Sequence, residues 1–596
     1  MGYNLPILIK HGFIIMTSRM LIMVGLGTVL LGCQSLPSTP HLPKSTELTE
    51  RVHLAHEALL AKRLNNQSNH SQAYLNQRDD DPDAGFLGKE INRQTDAPSQ
   101  EELSLSTIID EQTEYHPTLS GYYPITTGAN AFASRSILSD MATHTIDVQY
   151  YIWHDDEAGF LMLKDLWQAA ERGVLVRLLL DDFNGNPRLD EQLALFAKHP
   201  NIAVRVVNPF TYRCYKFMNY LTSPVRINVR MHNKSMTFDN HISIIGGRNI
   251  GNEYLNNHQN NHFADLDVLL IGEVVGDITK SFDEYWQSPT AYDIETLVST
   301  DKKRPHQSAM AVFSKDNDDG LNATKNERAL RTYRSAVASS TIGKDLLNKN
   351  VPFRWVDMKF LADDVAKLNT KVKNENPKDG HLVSKLRHEL GRPKERLSII
   401  SSYFVPTKDG VRTLTTLAKD GVDVSILTNS FDATDVGAVH SGYGHWRQEL
   451  LSAGVKIYEL KSTAKNTKED ENKLWRTKRM TTTSLHAKAF AVDNHKVFIG
   501  SYNIDPRSAN INTELGVMIY DEELAYQLHN ALNNAGDQEN SVILNQVYEV
   551  RLVNGELQWR TLEQGQEVIF DKEPHMNTPE RIGVSFMSWL PIDWLL

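Results

Sequence analysis

Apolar positions along this chain change their spacing at regular intervals, and the changes mark out alternating helices and strands. Phe132, Ile137, Leu138 and Met141 share one side of 131–141 and predict a helix. The run 146–153 is rich in β-formers and predicts a strand. A second helix over 160–171 is stopped by Gly173. The unbroken apolar run 174–180, closed by Asp181 and Asp182, has the pattern of a strand buried on both faces. Later the same order returns: a helix marked by Leu382, Leu386 and Leu390, a strand over 397–404, a helix over 411–418 ended by Gly421, and a strand over 422–427. Such alternation predicts an α/β layered fold, and its recurrence predicts two similar domains.

The ends of the chain break this pattern. Lys10, His11 and Arg19 precede a short apolar run, 20–31, that closes on Leu30-Leu31-Gly32-Cys33. A basic flank and a run too short to span a bilayer read as a signal peptide over 1–32. Leu-x-Gly-Cys resembles the bacterial lipobox. That resemblance implies cleavage before Cys33, lipidation of its sulfur and, with Gln34 next, sorting to the outer membrane. Residues 33–104 are polar and read as a lipoprotein tether, with one helix over 47–64 on the spacing of Leu54, Ala58 and Ala61. The domains are then expected at 105–300 and 391–596, joined by a segment over 301–390 with a helix near 327–337. The tail 586–596 gathers Trp589, Trp594 and several leucines, suited either to the membrane interface or to docking on the protein's own body.

Composition narrows the function. With 596 residues, 40% hydrophobic and 23% charged, the chain is an ordinary globular one. A net charge of −11 argues against nucleic acid as the partner. Two cysteines, Cys33 and Cys214, rule out a disulfide framework; Cys214 reads as a small buried residue.

One word is spelled twice, at matching places in the two repeats: His-x-Lys-x-x-x-x-Asp, as His232, Lys234, Asp239 and as His486, Lys488, Asp493. Each copy is followed at equal offsets by a glycine and an asparagine, Gly246 and Asn249 in the first, Gly500 and Asn503 in the second. Strand, turn and returning strand are predicted around each, with His and Lys on one face of one strand.

The paired words resemble the phospholipase D superfamily. Gln149–Trp153, Arg230-Met231-His232-Asn233-Lys234-Ser235, Gly246–Gly251 and Asp505-Pro506-Arg507-Ser508 resemble, more narrowly, the bacterial type C cardiolipin synthases in their lipoprotein form. The resemblance spans about residue 117 to the C-terminus. It implies two phospholipase D-like α/β/α sandwich domains related by a pseudo-twofold axis, with one active site at their interface.

The residues suit that chemistry on their own terms. A neutral imidazole can take phosphorus from a phosphodiester as a covalent phosphohistidine, while a protonated one gives the leaving alkoxide its proton. Lysines and asparagines can hold the non-bridging oxygens. No metal and no cofactor is required. By resemblance His232 is the nucleophile and His486 the acid, then the base; symmetry alone leaves the reverse open. Lys234, Lys488, Asn249 and Asn503 hold phosphate, and Asp239 and Asp493 tend to support the turns. The carboxylates orienting the imidazoles are expected downstream, at Asp267, with Asp265 as its rival, and at Glu514. The implied reaction is phosphatidyl transfer from one phospholipid, phosphatidylglycerol or phosphatidylethanolamine, to phosphatidylglycerol, giving cardiolipin at a membrane. Hydrolysis to phosphatidic acid is the alternative, and nuclease action a weaker one. The aromatic stretch 209–220 could wall an acyl groove or form a core hairpin, and His440, Tyr443 and Trp446 are candidates to line the pocket.

Overall fold

The computed structural model describes residues 35–80, 112–113, 115–213, 215–255, 262–298, 312–313, 323–369, 380–434, 437–462, 483–533 and 545–576. The signal peptide, Cys33, Cys214 and the apolar C-terminal tail lie outside them.

Two mixed sheets carry the fold. In the first, nine strands run in the order Arg354–Val356, Ser120–Ile125, Asp267–Gly272, Ile242–Gly246, Ser235–Phe238, Thr145–Tyr150, Leu175–Asp181, Ile202–Val207, Ala291–Asp293. The second sheet, of ten strands, begins Met358–Ala362, Leu515–Tyr520, Lys496–Gly500, Lys488–Val492, Arg396–Ser401, Asp423–Asn429, Lys456–Leu460, Val547–Val553, and ends on the hairpin Glu556–Glu563, Gln566–Phe570. Strand for strand, the second sheet repeats the order of the first from Ser120–Ile125 onward. In each, three parallel strands adjoin an antiparallel set that carries the repeated word.

Burial explains the apolar runs. Leu175–Asp181 is buried along its whole length. Val176, Leu178 and Leu180 face the helices Gly128–Met141, Glu157–Glu171 and Pro187–Phe196, while Leu175 and Leu179 face Phe282 and Trp286 of helix Val274–Trp286. The two halves meet through a third core. Ile245, Val268 and Leu270 of one sheet pack with Ala489, Ala491, Val497, Ile499 and Val517 of the other. The alanines let the sheets approach, and apolar burial on this scale makes the pair one body. Tyr122 adds a hydrogen bond to Asp521 across the same seam, 3.0 Å.

Two expected boundaries move. The segment 301–390 is not a separate connector. Its helices Ala323–Ser339 and Thr341–Leu347 lie on helix Gly128–Met141, and Tyr333, Ile342 and Leu346 join the first core. The chain changes sheets at Asp357, between Arg354–Val356 and Met358–Ala362, so the second domain starts some thirty residues before 391. The polar N-terminal segment is also more than a tether. Helix Pro43–Asp80 buries Leu48 and Val52 against Leu179, Val207 and Trp286. The stripe expected from Leu54 is not the buried one, since Leu54 is 65% exposed.

The aspartates of the two words sit at the turns, at the opposite end of their strands from the histidines. Asp239 accepts hydrogen bonds from the backbone of Thr143, His144 and Thr145, at 2.8–2.9 Å. Asp493 accepts likewise from Lys394, Glu395 and Arg396. Both have a left-handed backbone, φ 50° and 51°, which Asp tolerates better than most residues. Asp239→Ala strands the buried N–H of Thr145 and removes the bonds to the more exposed Thr143 and His144, and is expected to cost about 1–3 kcal/mol. Urea unfolding would read this as a lower midpoint, with the more exposed Asp493→Ala costing less.

Candidate active site

Both histidines lie just ahead of their strands rather than within them. Each is held by backbone of the opposite half. His232 N–H donates to the carbonyl of Thr513 at 2.8 Å, and Thr513 N–H donates to Arg230 at 2.9 Å. His486 and Ala487 N–H both donate to Ala264, at 2.8 and 3.1 Å. Here strand Thr483–Leu485 runs parallel to strand His262–Ala264 of the first half. Thus the residue before each key carboxylate grips the other half's histidine.

The side chains follow the same exchange. His232 Nδ1 is 2.7 Å from Glu514 Oε2, and His486 Nδ1 is 2.6 Å from Asp265 Oδ2. A carboxylate can only accept, so each Nδ1 carries the proton and each Nε2 is left for chemistry. Ser501 Oγ donates a further bond to Glu514 Oε2 at 2.5 Å. Tyr151 stands edge-on to the His232 ring at 4.8 Å, and Tyr254 edge-on to His486 at 5.2 Å.

Asp267, expected to orient a histidine, does not. It is fully buried, 2.9 Å from the Arg135 guanidinium and 3.5 Å from that of Arg248. Strand register gives the reason. Gly246 pairs with Asp267 and Gly500 with Gly516, so Glu514 corresponds to Asp265. Asp265 reaches in because position 247 is glycine; a Cβ there would stand 2.1 Å from Asp265 Oδ1.

Electrostatics tie the four basic groups into one space. Burial, helped by Lys234 and Lys488 and opposed by Glu514, pushes His232 down to about 4. Burial likewise lowers His486, with Lys488 and Lys234 both contributing. Lys234 is pushed down to about 7, mainly by burial and then by Lys488 against the pull of Glu514. Burial opposes ionisation of Asp265 and Glu514, yet the facing histidines hold both below the usual carboxylate range. Lys234 and Lys488 also donate to the carbonyls of their own His232 and His486. Asn249 Oδ1 accepts from Ile152 N–H, which leaves its buried Nδ2 without a protein partner; Asn503 Oδ1 accepts from Ser402. Asn233, not singled out by the sequence pattern, adds another tie between the halves: its Oδ1 accepts from Thr513 Oγ1 at 2.9 Å.

His440 and Tyr443 turn instead into a buried ion network with Arg447, Glu459 and Glu573, and Trp446 packs on the second core. Among the described residues no group of three or more His, Cys, Asp or Glu side chains is arranged to hold a metal.

Two imidazoles, each aligned by a carboxylate of the opposite half and backed by a lysine, thus form one two-histidine arrangement at the seam between the halves. The chain belongs to the phospholipase D-like cardiolipin synthase family: the family described as "Cardiolipin synthase, PLD-like domain" matches residues 138–286 and 386–535. Cardiolipin synthase C of Escherichia coli is 39% identical over 81% of this chain and 97% of its own length. A cardiolipin synthase of Halalkalibacterium halodurans is 26% identical over 66% of this chain and 62% of its own. Among solved structures, phosphatidylserine synthase of Haemophilus influenzae superposes with a TM-score of 0.46 at 14% identity, covering 74% of this chain and 91% of that one.

Proposed function

We propose that this protein is a phosphatidyltransferase that makes cardiolipin. The observation that carries the reading is the exchange of carboxylates, Glu514 to His232 and Asp265 to His486, which builds one two-histidine site from both halves. His232 Nε2 attacks phosphorus of a donor phospholipid. The bond to the departing alcohol breaks, and His486 gives that oxygen a proton. The glycerol hydroxyl of phosphatidylglycerol then enters, His486 takes its proton, and its oxygen displaces His232 from phosphorus. Lys234, Lys488, Asn249 and Asn503 neutralise and grip the phosphate throughout.

Phosphatidylglycerol and phosphatidylethanolamine are both candidate donors, and water in place of the second alcohol would give phosphatidic acid. Lipidation at Cys33 would tether the enzyme to the bacterial envelope, at the outer membrane facing the periplasm. Among the described residues no helix is long and apolar enough to cross a membrane. The test is lipid extraction from cells lacking other cardiolipin synthases. Cardiolipin should appear with the intact chain and vanish with His232→Ala; phosphatidic acid alone would make the protein a hydrolase.

His232 must be neutral to attack, so kcat/KM falls as pH drops through about 4. Lys234 must be charged to hold phosphate, so kcat/KM also falls as pH rises through about 7. His486, lowered too, must begin protonated and adds to the alkaline limb. A pH profile of kcat/KM on short-chain phosphatidylglycerol should therefore be bell-shaped with a mildly acidic optimum.

A further inference from the structure

The stretch that leads into His232 is neither a core hairpin nor a closed groove. It ends in two short helices, Phe217–Thr222 and Pro224–Asn228, from which Phe217, Tyr220, Leu221 and Val225 face outward while Ile227 turns inward. Tyr215, Phe217, Tyr220, Leu221 and Val225 are 61%, 62%, 51%, 72% and 59% exposed. Phe217, Tyr220 and Leu221 share one helical face by their spacing. Elsewhere among the described residues, exposed large apolar side chains are mostly scattered singly. A cluster of this kind is costly to leave in water and marks a surface that something covers.

The knuckle is bolted to the active site from two sides. Lys216 Nζ donates to the carbonyls of Asp182 and Phe183, at 3.1 and 3.0 Å. The Phe183 ring, itself part-exposed, stacks on Tyr151 at 5.7 Å, and Tyr151 meets the His232 ring edge-on. An aromatic path therefore runs from the loop that the knuckle holds to the reacting imidazole. On the other side Arg507, from the second half, clamps Asn228 through its side chain and carbonyl, both at 2.7 Å.

We infer that this knuckle is the surface by which the enzyme sits on a phospholipid bilayer, with Phe217, Tyr220 and Leu221 among the acyl chains and headgroups. The inference rests on the transferase reading. Two-chain phospholipids reside in a bilayer, whereas His232 is almost wholly buried. The donor must rise partly out of the membrane at a fixed place, and the path Phe183–Tyr151 offers its glycerol end an apolar way in. Aromatic and leucine side chains on short surface helices are a composition that settles at the headgroup boundary.

The full chain is purified and mixed with vesicles of phosphatidylglycerol and phosphatidylethanolamine, with no other protein present. With Cys33 and Cys214 both replaced by serine so that each variant carries one thiol, a bimane label on Leu221→Cys should be quenched by nitroxide lipids at least several-fold more than the same label on Tyr526→Cys, an exposed site on another helix. Phe217→Ser with Leu221→Ser should lower turnover of vesicle lipid by roughly tenfold, leaving turnover of monomeric short-chain phosphatidylglycerol within about twofold and the melting temperature unchanged. Val225→Ser alone should have a smaller effect in the same direction. Equal quenching at both positions, or equal losses on vesicle and monomeric lipid, would overturn the inference and point to a protein partner or a catalytic role. If the intact chain turned over neither lipid, the transferase reading would fail. The quenching result would still decide whether the knuckle meets the bilayer.

Discussion

Replacing His232 by alanine is expected to lower phosphatidyl transfer by on the order of 10⁴–10⁶-fold, because both chemical steps pass through its Nε2. His486→Ala should lose a comparable factor with natural donors, whose alkoxides need its proton. The two variants part company on a donor with a good leaving group, such as a p-nitrophenyl phosphodiester. That leaving group departs without a proton, so His486→Ala should still release one equivalent of p-nitrophenol. It should then stall, since no base remains to activate the second alcohol. Labelled phosphate should accumulate on the peptide carrying His232, and none should be trapped by His232→Ala. Label on His486 in the His232→Ala protein would exchange the two roles. The structure supplies reasons for an asymmetry: Glu514 is longer than Asp265 and takes a hydroxyl donor from Ser501, where the first half has Gly247. Thermal melting should separate these losses from unfolding, since neither histidine belongs to the apolar cores.

Much of the fold was legible because its strands are buried on both faces and so appear as unbroken apolar runs. The repeat of helix, strand, helix, strand located both words, and equal offsets to Asn249 and Asn503 reflect matching returning strands. Where the reading failed, polar residues on buried faces disguised the pattern. On the N-terminal helix the buried stripe is Leu48, Val52 and Leu59, interrupted by His56, which bonds to Thr145 at 3.1 Å. A polar residue in a buried stripe hides its period, and Leu54 with Ala58 took its place. The carboxylates show a different limit. Asp265 and Asp267 are two apart and share strand parity, so alternation cannot choose between them. Register can, but only through Gly246 opposite Asp267 and Gly500 opposite Gly516, which is a property of pairing. Nor does any local pattern announce that each carboxylate serves the other half. That follows from the packing of Ile245 and Val268 on Ala489 and Val497.

Asp265→Asn and Asp267→Asn should fail in opposite ways. Asp265→Asn keeps the shape but removes the charge that holds His486 with its proton on Nδ1 and steadies the imidazolium. Activity is expected to fall by roughly 10²–10⁴-fold with little change in melting temperature. Asp267→Asn leaves Arg135 and Arg248, both fully buried, facing a neutral amide. Breaking a buried ion pair from one side costs about 3–5 kcal/mol, so this variant should melt markedly lower and recover activity when assayed cold. A folded, inactive Asp267→Asn beside an active Asp265→Asn would return the orienting role to Asp267. Gly247→Ala provides an independent check that leaves both carboxylates chemically unchanged. Its Cβ would fall 2.1 Å from Asp265 Oδ1 and must push that group away from His486. Its loss of activity should therefore resemble that of Asp265→Asn, while Gly276→Ala, where a Cβ meets open space, should leave activity intact. The comparison isolates geometry from charge: if Gly247→Ala is harmless, the 2.6 Å contact between Asp265 and His486 is not what aligns the imidazole.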